Sequence, residues 1–151
     1  MKSLHFAALG AALFVATVGV TTGASAQDVP RVYDVGPVWS ISRIEVKPGQ
    51  GDAYMAYLNK GWRATRMANQ KSGHEMAYKI LTLEDSRDGE PNLLLMIQYK
   101  NHAAFDRPLD EEDAVTKAVE ASMGKTMPMA DRESMRKSHG NRTAQEVVFK
   151  K

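Results

Sequence analysis

Val38-Trp39-Ser40-Ile41-Ser42-Arg43-Ile44-Glu45-Val46-Lys47, followed by Pro48-Gly49-Gln50-Gly51-Asp52, is the stretch on which the fold turns. Its first ten residues alternate. Val38, Ser40, Ser42, Ile44 and Val46 face one way, and Trp39, Ile41, Arg43, Glu45 and Lys47 the other. A period of two belongs to a strand, here with one apolar and one amphipathic face. The Pro-Gly segment ends it, and Asp52 is placed to cap a helix by accepting free backbone N–H groups. The period then becomes helical over about 53–70, where Tyr54, Leu58 and Trp62 stand at i, i+4 and i+8 with Tyr57, Gly61, Ala64 and Ala68 beside them.

Lys71-Ser72-Gly73 closes that helix with a glycine suited to the left-handed position. A second strand is expected over 74–83, with Met76, Tyr78 and Ile80 on one face. Glu84 to Pro91 is polar and rich in turn formers, the loop of a hairpin. Its return strand, 92–100, is apolar on both faces from Leu93 to Ile97, so it is expected to be central and covered on both sides. Asn101 caps a short turn through Phe105, and Pro108 ends it. A helix over 110–123 opens with Asp110, Glu111, Glu112 and Asp113 at the positive end of its dipole. A further helical piece at 130–138, a turn at His139-Gly140-Asn141 and a strand over 143–150 close the chain.

The order strand, helix, strand, strand, helix, strand predicts an α+β, ferredoxin-like βαββαβ fold, with helices over one face of an antiparallel sheet. Residues 27–37 carry Pro30, Gly36 and Pro37 without a period and read as an extended lead-in, leaving one α+β domain over 38–151. The second face of the sheet, with Trp39, Ile41 and Met96, is too apolar to be left in water. A second copy packed sheet against sheet would cover it, so the expected partner is a homodimer.

The N-terminus points to a compartment. Lys2 supplies a small positive region, Leu4 to Val20 an apolar run, and Ala24-Ser25-Ala26 the small residues a signal peptidase accepts, which predicts cleavage after Ala26 and a periplasmic or secreted protein without a stable membrane anchor. Removing residues 1–26 takes away Lys2 as the one charged residue. The remaining 125 residues carry 19 basic against 18 acidic side chains, which excludes the electrostatic footprint of a nucleic-acid partner. With no Cys there is no disulfide framework, lipoprotein anchor, zinc-thiolate site or cysteine nucleophile. Stability must come from a packed core, for which this length suffices once.

The run Ile44 to Tyr54 leading into the helix with Trp62, together with Gln98-Tyr99-Lys100-Asn101-His102-Ala103-Ala104-Phe105-Asp106, resembles the dimeric α/β-barrel superfamily over about 38–150. The resemblance implies a barrel made by two copies. Members of that superfamily include cofactor-free monooxygenases, haem-degrading enzymes, small-molecule isomerases and envelope proteins, so fold alone does not give function. A haem-degrading member would pair a haem-ligating His on the second helix with an Asn on the first strand and a Trp nearby. Here the first strand carries Ser40 and Ser42 instead, and His102 is the one ligand candidate.

The residue types favour a small apolar or aromatic ligand. Tyr54, Trp62, Tyr78 and Tyr99 are the candidates to stack on it between sheet and helices, and His74 or His102 to move a proton if the protein is a cofactor-free monooxygenase or isomerase. The bland alternative is that the aromatic rows are plain core. Met123, Met127, Met129 and His139 raise a copper alternative, because thioethers suit a soft ion, although methionine also fills irregular core gaps. No cofactor is otherwise implied, and no Ser-His-Asp order, paired-carboxylate signature or dinucleotide loop stands out.

Overall fold

The computed structural model describes residues 29–125 and 127–151. The expected signal segment, 1–26, lies outside them. Residues Arg31–Lys151 gather into one compact unit. Its elements are β1 (Tyr33–Val46), α1 (Gly51–Tyr57), a π-helical turn (Leu58–Trp62), α2 (Arg63–Lys71), β2 (Ala77–Thr82), β3 (Leu93–Tyr99), a 3₁₀ turn (His102–Phe105), α3 (Leu109–Met123), α4 (Met129–Met135) and β4 (Arg136–Phe149). The four strands form one sheet in the order β2-β3-β1-β4, with every neighbouring pair antiparallel. That is the ferredoxin-like arrangement the sequence predicts. No described helix is long and apolar enough to cross a membrane.

Register explains the core. Ile44 pairs with Leu93, Ser42 with Leu95, Ser40 with Ile97 and Val38 with Tyr99, so these residues share one face of the sheet. The helices close over it, and Ile44, Tyr54, Leu58, Leu93, Leu95 and Met135 form the buried cluster. α1, the π turn and α2 continue as one helix, since Tyr57, Leu58, Trp62 and Arg63 all keep right-handed helical dihedrals. Gln50, and not Asp52, stands at the cap position and makes no side-chain cap bond. Asp52 lies in the first turn, where its charge still meets the positive end of the dipole. Asn92 ties the hairpin to the end of β1: its Oδ1 accepts from Val46 N at 2.8 Å and its Nδ2 donates to Val46 O at 3.1 Å.

Two stretches of turn formers prove to be bulges within strands. β1 starts at Tyr33, inside the expected lead-in. It pairs Val35 with Val147 and Val38 with Gln145, so Gly36 and Pro37 together oppose Glu146. An extra residue at a bulge is where a central strand tolerates proline, which has no N–H for the ladder. Likewise β4 begins at Arg136, so the helical piece before it ends at Met135 and not at 138, and His139-Gly140-Asn141 is no turn. Ser42 pairs with Asn141 and Ile44 with Ser138, leaving one extra residue on β4 at Gly140, whose φ is 77°. A β-carbon there costs about 1 kcal/mol or more. Gly140→Ala is therefore expected to lower the melting temperature measurably, while Gly51→Ala, at a helix start with open space around it, is expected not to.

Candidate functional site

The chain between α2 and β2 builds a polar nook against the end of β3. Gly73, at φ 77°, turns the backbone so that the amides of His74 and Glu75 both donate to the carbonyl of Asn69, at 3.0 and 3.3 Å. The turn carries the Glu75 side chain under the helix, leaving the residue 4% exposed. A buried carboxylate needs partners. Arg66 Nη1 lies 2.8 Å from its Oε1, and Asn69 Nδ2 donates to the same oxygen at 2.7 Å. From the other side Arg107 Nη1 donates to Asn69 Oδ1 at 2.7 Å and its Nη2 to the Glu111 carbonyl at 3.1 Å. Glu75 Oε2 is buried and accepts no hydrogen bond from any described residue.

This cluster floors a cavity of about 440 Å³, within the usual range for small-molecule sites. Its walls are Tyr99 from β3, Ala104 and Phe105 from the 3₁₀ turn, and Leu109 and Val115 from α3, with His74 and Glu112 at its border. The Tyr99 and Phe105 rings meet edge to face at 5.0 Å, and His74 stands edge-on to Tyr99 at 5.5 Å. Burial raises the Glu75 pKa above the ordinary carboxylate range, against the opposing pull of Arg66, the Asn69 hydrogen bond and Arg107. Burial, followed by the nearby Arg107, lowers that of His74 and so favours the neutral imidazole. Tyr99 is raised by burial and then by the Glu75 charge.

The structure thus brings together two of the sequence candidates, His74 and Tyr99, and separates them from the others. Tyr54 is fully buried in the hydrophobic core with its hydroxyl accepting from Arg136 Nη1 at 3.0 Å, which makes it a core residue and not part of this cavity's lining. Trp62 packs against the core and meets Tyr78 edge to face at 5.2 Å, beside a smaller cavity of about 200 Å³ shared with Tyr57, Val119 and Met127. His102 is exposed, with its ring 6.0 Å from Phe105. Met123 and Met127 border one open concavity beside Tyr57 and Gly61, while Met129 is exposed at the start of α4. His139 is engaged elsewhere: its Nε2 lies 2.7 Å from Glu45 Oε2, on the sheet face away from the helices. The copper grouping therefore does not converge, because strand β4 carries His139 to a hydrogen-bonding contact with Glu45 on the other sheet face.

Glu75, Arg66, Asn69 and Arg107 escaped the sequence reading. Each is a common surface type, and what unites them is the fold-back at Gly73 and the docking of the segment before α3. The available signal was Arg66 and Asn69 one helical turn apart just ahead of the stop.

The sequence matches no protein-family model and no curated protein. Among solved structures it is similar to a dimeric ferredoxin-like protein from an uncultured marine organism, with a TM-score of 0.42 and 8% identity over 78% of this chain and 91% of the other. The fold assignment rests on the strand order and pairing described above.

Proposed function

We propose that this is a periplasmic or secreted homodimeric protein that binds a small, largely apolar or aromatic molecule between its helices and the end of β3. The observation that carries the reading is the cavity itself, whose Tyr99, Phe105, Leu109 and Val115 walls stand over a buried polar floor. Thr65, Thr116 and the charged residues give one side of it a polar character, and polar groups converging opposite apolar walls fix the orientation of a bound molecule. The periplasmic assignment rests on the Ala24-Ser25-Ala26 signature that follows Lys2 and the apolar run from Leu4 to Val20.

Homodimerisation is supported by apolar surface. Beyond the reach of β3, Tyr33–Val35 and Val147–Phe149 run on as a two-stranded ribbon. Val35 and Phe149 are 66% and 74% exposed there, and Val147 is also exposed. The sheet face away from the helices adds half-buried Trp39, Ile41, Leu94 and Met96. Surface of this kind on a sheet with open edges is normally covered by a partner.

A second reading, a cofactor-free isomerase or monooxygenase acting on an aromatic molecule, is favoured by one specific feature. Two titratable groups, Glu75 and His74, border the cavity with their pKa values pushed in opposite directions by burial. Burial favours the neutral form of each, a proton-donating carboxyl and a proton-accepting imidazole. Native mass spectrometry of the protein purified from its envelope fraction tests the binding reading. A dimer mass carrying an organic adduct is expected, and a bare monomer would remove both the dimer and the retained ligand.

A further inference from the structure

We propose that the cavity selects a flat, apolar molecule bearing a hydroxyl group, which donates its hydrogen bond to the free Oε2 of Glu75. The inference rests on the small-molecule reading above and names the ligand class. The two oxygens of Glu75 are treated unequally by the fold. Oε1 receives Arg66 and Asn69 together, at 2.8 and 2.7 Å, whereas Oε2 is buried with no donor from any described residue. A buried acceptor left unpaired is costly, and a ligand donor that satisfies it recovers that cost on binding.

The neighbouring charges argue against an anionic ligand. Arg66 is paired with Glu75, while Arg107 donates to Asn69 and the Glu111 carbonyl, with the Glu111 carboxylate 3.7 Å from its Nε. Around the cavity Arg66 and Arg107 are balanced by Glu75 and Glu112. The Nε atoms of Arg66 and Arg107 are buried without a hydrogen-bond acceptor, but each guanidinium already faces a carboxylate, Glu75 or Glu111, so a ligand carboxylate would lie beside negative charge. A neutral hydroxyl meets none of these penalties. The apolar remainder of the ligand packs against the Tyr99–Phe105 pair, which meets edge to face, and against Leu109 and Val115.

The test is calorimetric titration of the purified protein with 1-naphthol, 1-methoxynaphthalene and 1-naphthoate, which share a ring system and differ in donor and charge. 1-Naphthol is expected to bind about tenfold more tightly than the methyl ether, the factor that corresponds to one net hydrogen bond, and 1-naphthoate most weakly. In Glu75→Gln the amide oxygen stays with Arg66 and Asn69, its NH₂ takes the place of Oε2, and the preference for the hydroxyl is expected to vanish. Equal binding of naphthol and its ether, tightest binding of naphthoate, or a preference that survives Glu75→Gln overturns the hydroxyl assignment and leaves the cavity reading standing. Binding of none of the three overturns both. If Glu75→Gln does not fold, the three titrations of the unaltered protein decide the question alone.

Discussion

Arg66→Met is expected to lower the unfolding free energy by about 3 kcal/mol at pH 7, within the range for breaking a buried ion pair, and by only about 1 kcal/mol near pH 4. The guanidinium does two things. It faces Glu75 Oε1 at 2.8 Å, and its carbon lies 5.4 Å from the Trp62 ring centre. Methionine keeps much of the packing and removes both interactions. Loss of the contact with Trp62 is independent of pH and is worth about 0.5–1 kcal/mol. Loss of the counter-charge is not independent of pH.

The Glu75 pKa already lies above its unfolded value because burial outweighs Arg66, Asn69 and Arg107. A raised carboxyl contributes stability that is fully present below the unfolded value and is lost as pH rises through the folded one. Removing Arg66 raises the folded value further, so the extra loss accumulates on the neutral side. Protonation in acid erases it. The other groups facing Glu75 are Asn69 on the same helix, His74 beside it, Tyr99 from β3, and Arg107 with Glu111 and Glu112 from the α3 side. None replaces the Arg66 contact. Urea denaturation of both proteins at pH 7 and pH 4 measures the difference, and an equal loss at the two pH values would mean that Arg66 acts through packing alone. Arg63→Met, on the exposed side with Asn59 as its partner at 3.1 Å, provides the comparison and should change stability by no more than about 0.5 kcal/mol.

Strand and helix identity were legible because each depends on neighbours in sequence. The alternation through Val38–Lys47 and the helical row Tyr54, Leu58, Trp62 both survive into the structure. Boundaries failed where local chemistry has two meanings. Gly36-Pro37 and His139-Gly140-Asn141 contain the residues of turns, but a bulge draws on the same residues, and only pairing with Glu146 or Arg43 distinguishes the two. The site was half legible. His74 and Tyr99 stand out as a titratable and an aromatic residue, whereas Glu75 acquires its character from burial under Arg66 and Asn69, which no local pattern encodes. The same limit explains Tyr54: helical spacing assigns it to the apolar face without saying whether a ligand or another side chain fills the space above it.

The Tyr54 assignment carries the largest expected effect. Tyr54→Ala should cost about 4 kcal/mol, the middle of the range for emptying a buried aromatic site. The ring is 0% exposed among Ile44, Leu58, Leu93, Leu95 and Met135, and it lies 5.7 Å from the Tyr57 ring. Helix α1 and the strands β1 and β3 meet there, so the surrounding backbone cannot collapse into the vacated volume without separating helix from sheet. Tyr54→Phe keeps the ring and removes only the acceptor for Arg136, whose Nη2 still reaches Glu133 Oε1 at 3.0 Å. Its cost should be about 1 kcal/mol, that of one hydrogen bond. Denaturant titration of the two variants separates the roles. A ligand-facing tyrosine would lose affinity in both variants with little change in stability, whereas a core tyrosine loses several times more stability in alanine than in phenylalanine. If Tyr54→Ala instead unfolds at the same denaturant concentration as the unaltered protein, the space around Tyr54 is open, and the ligand cavity extends through what the packing here makes the centre of the core.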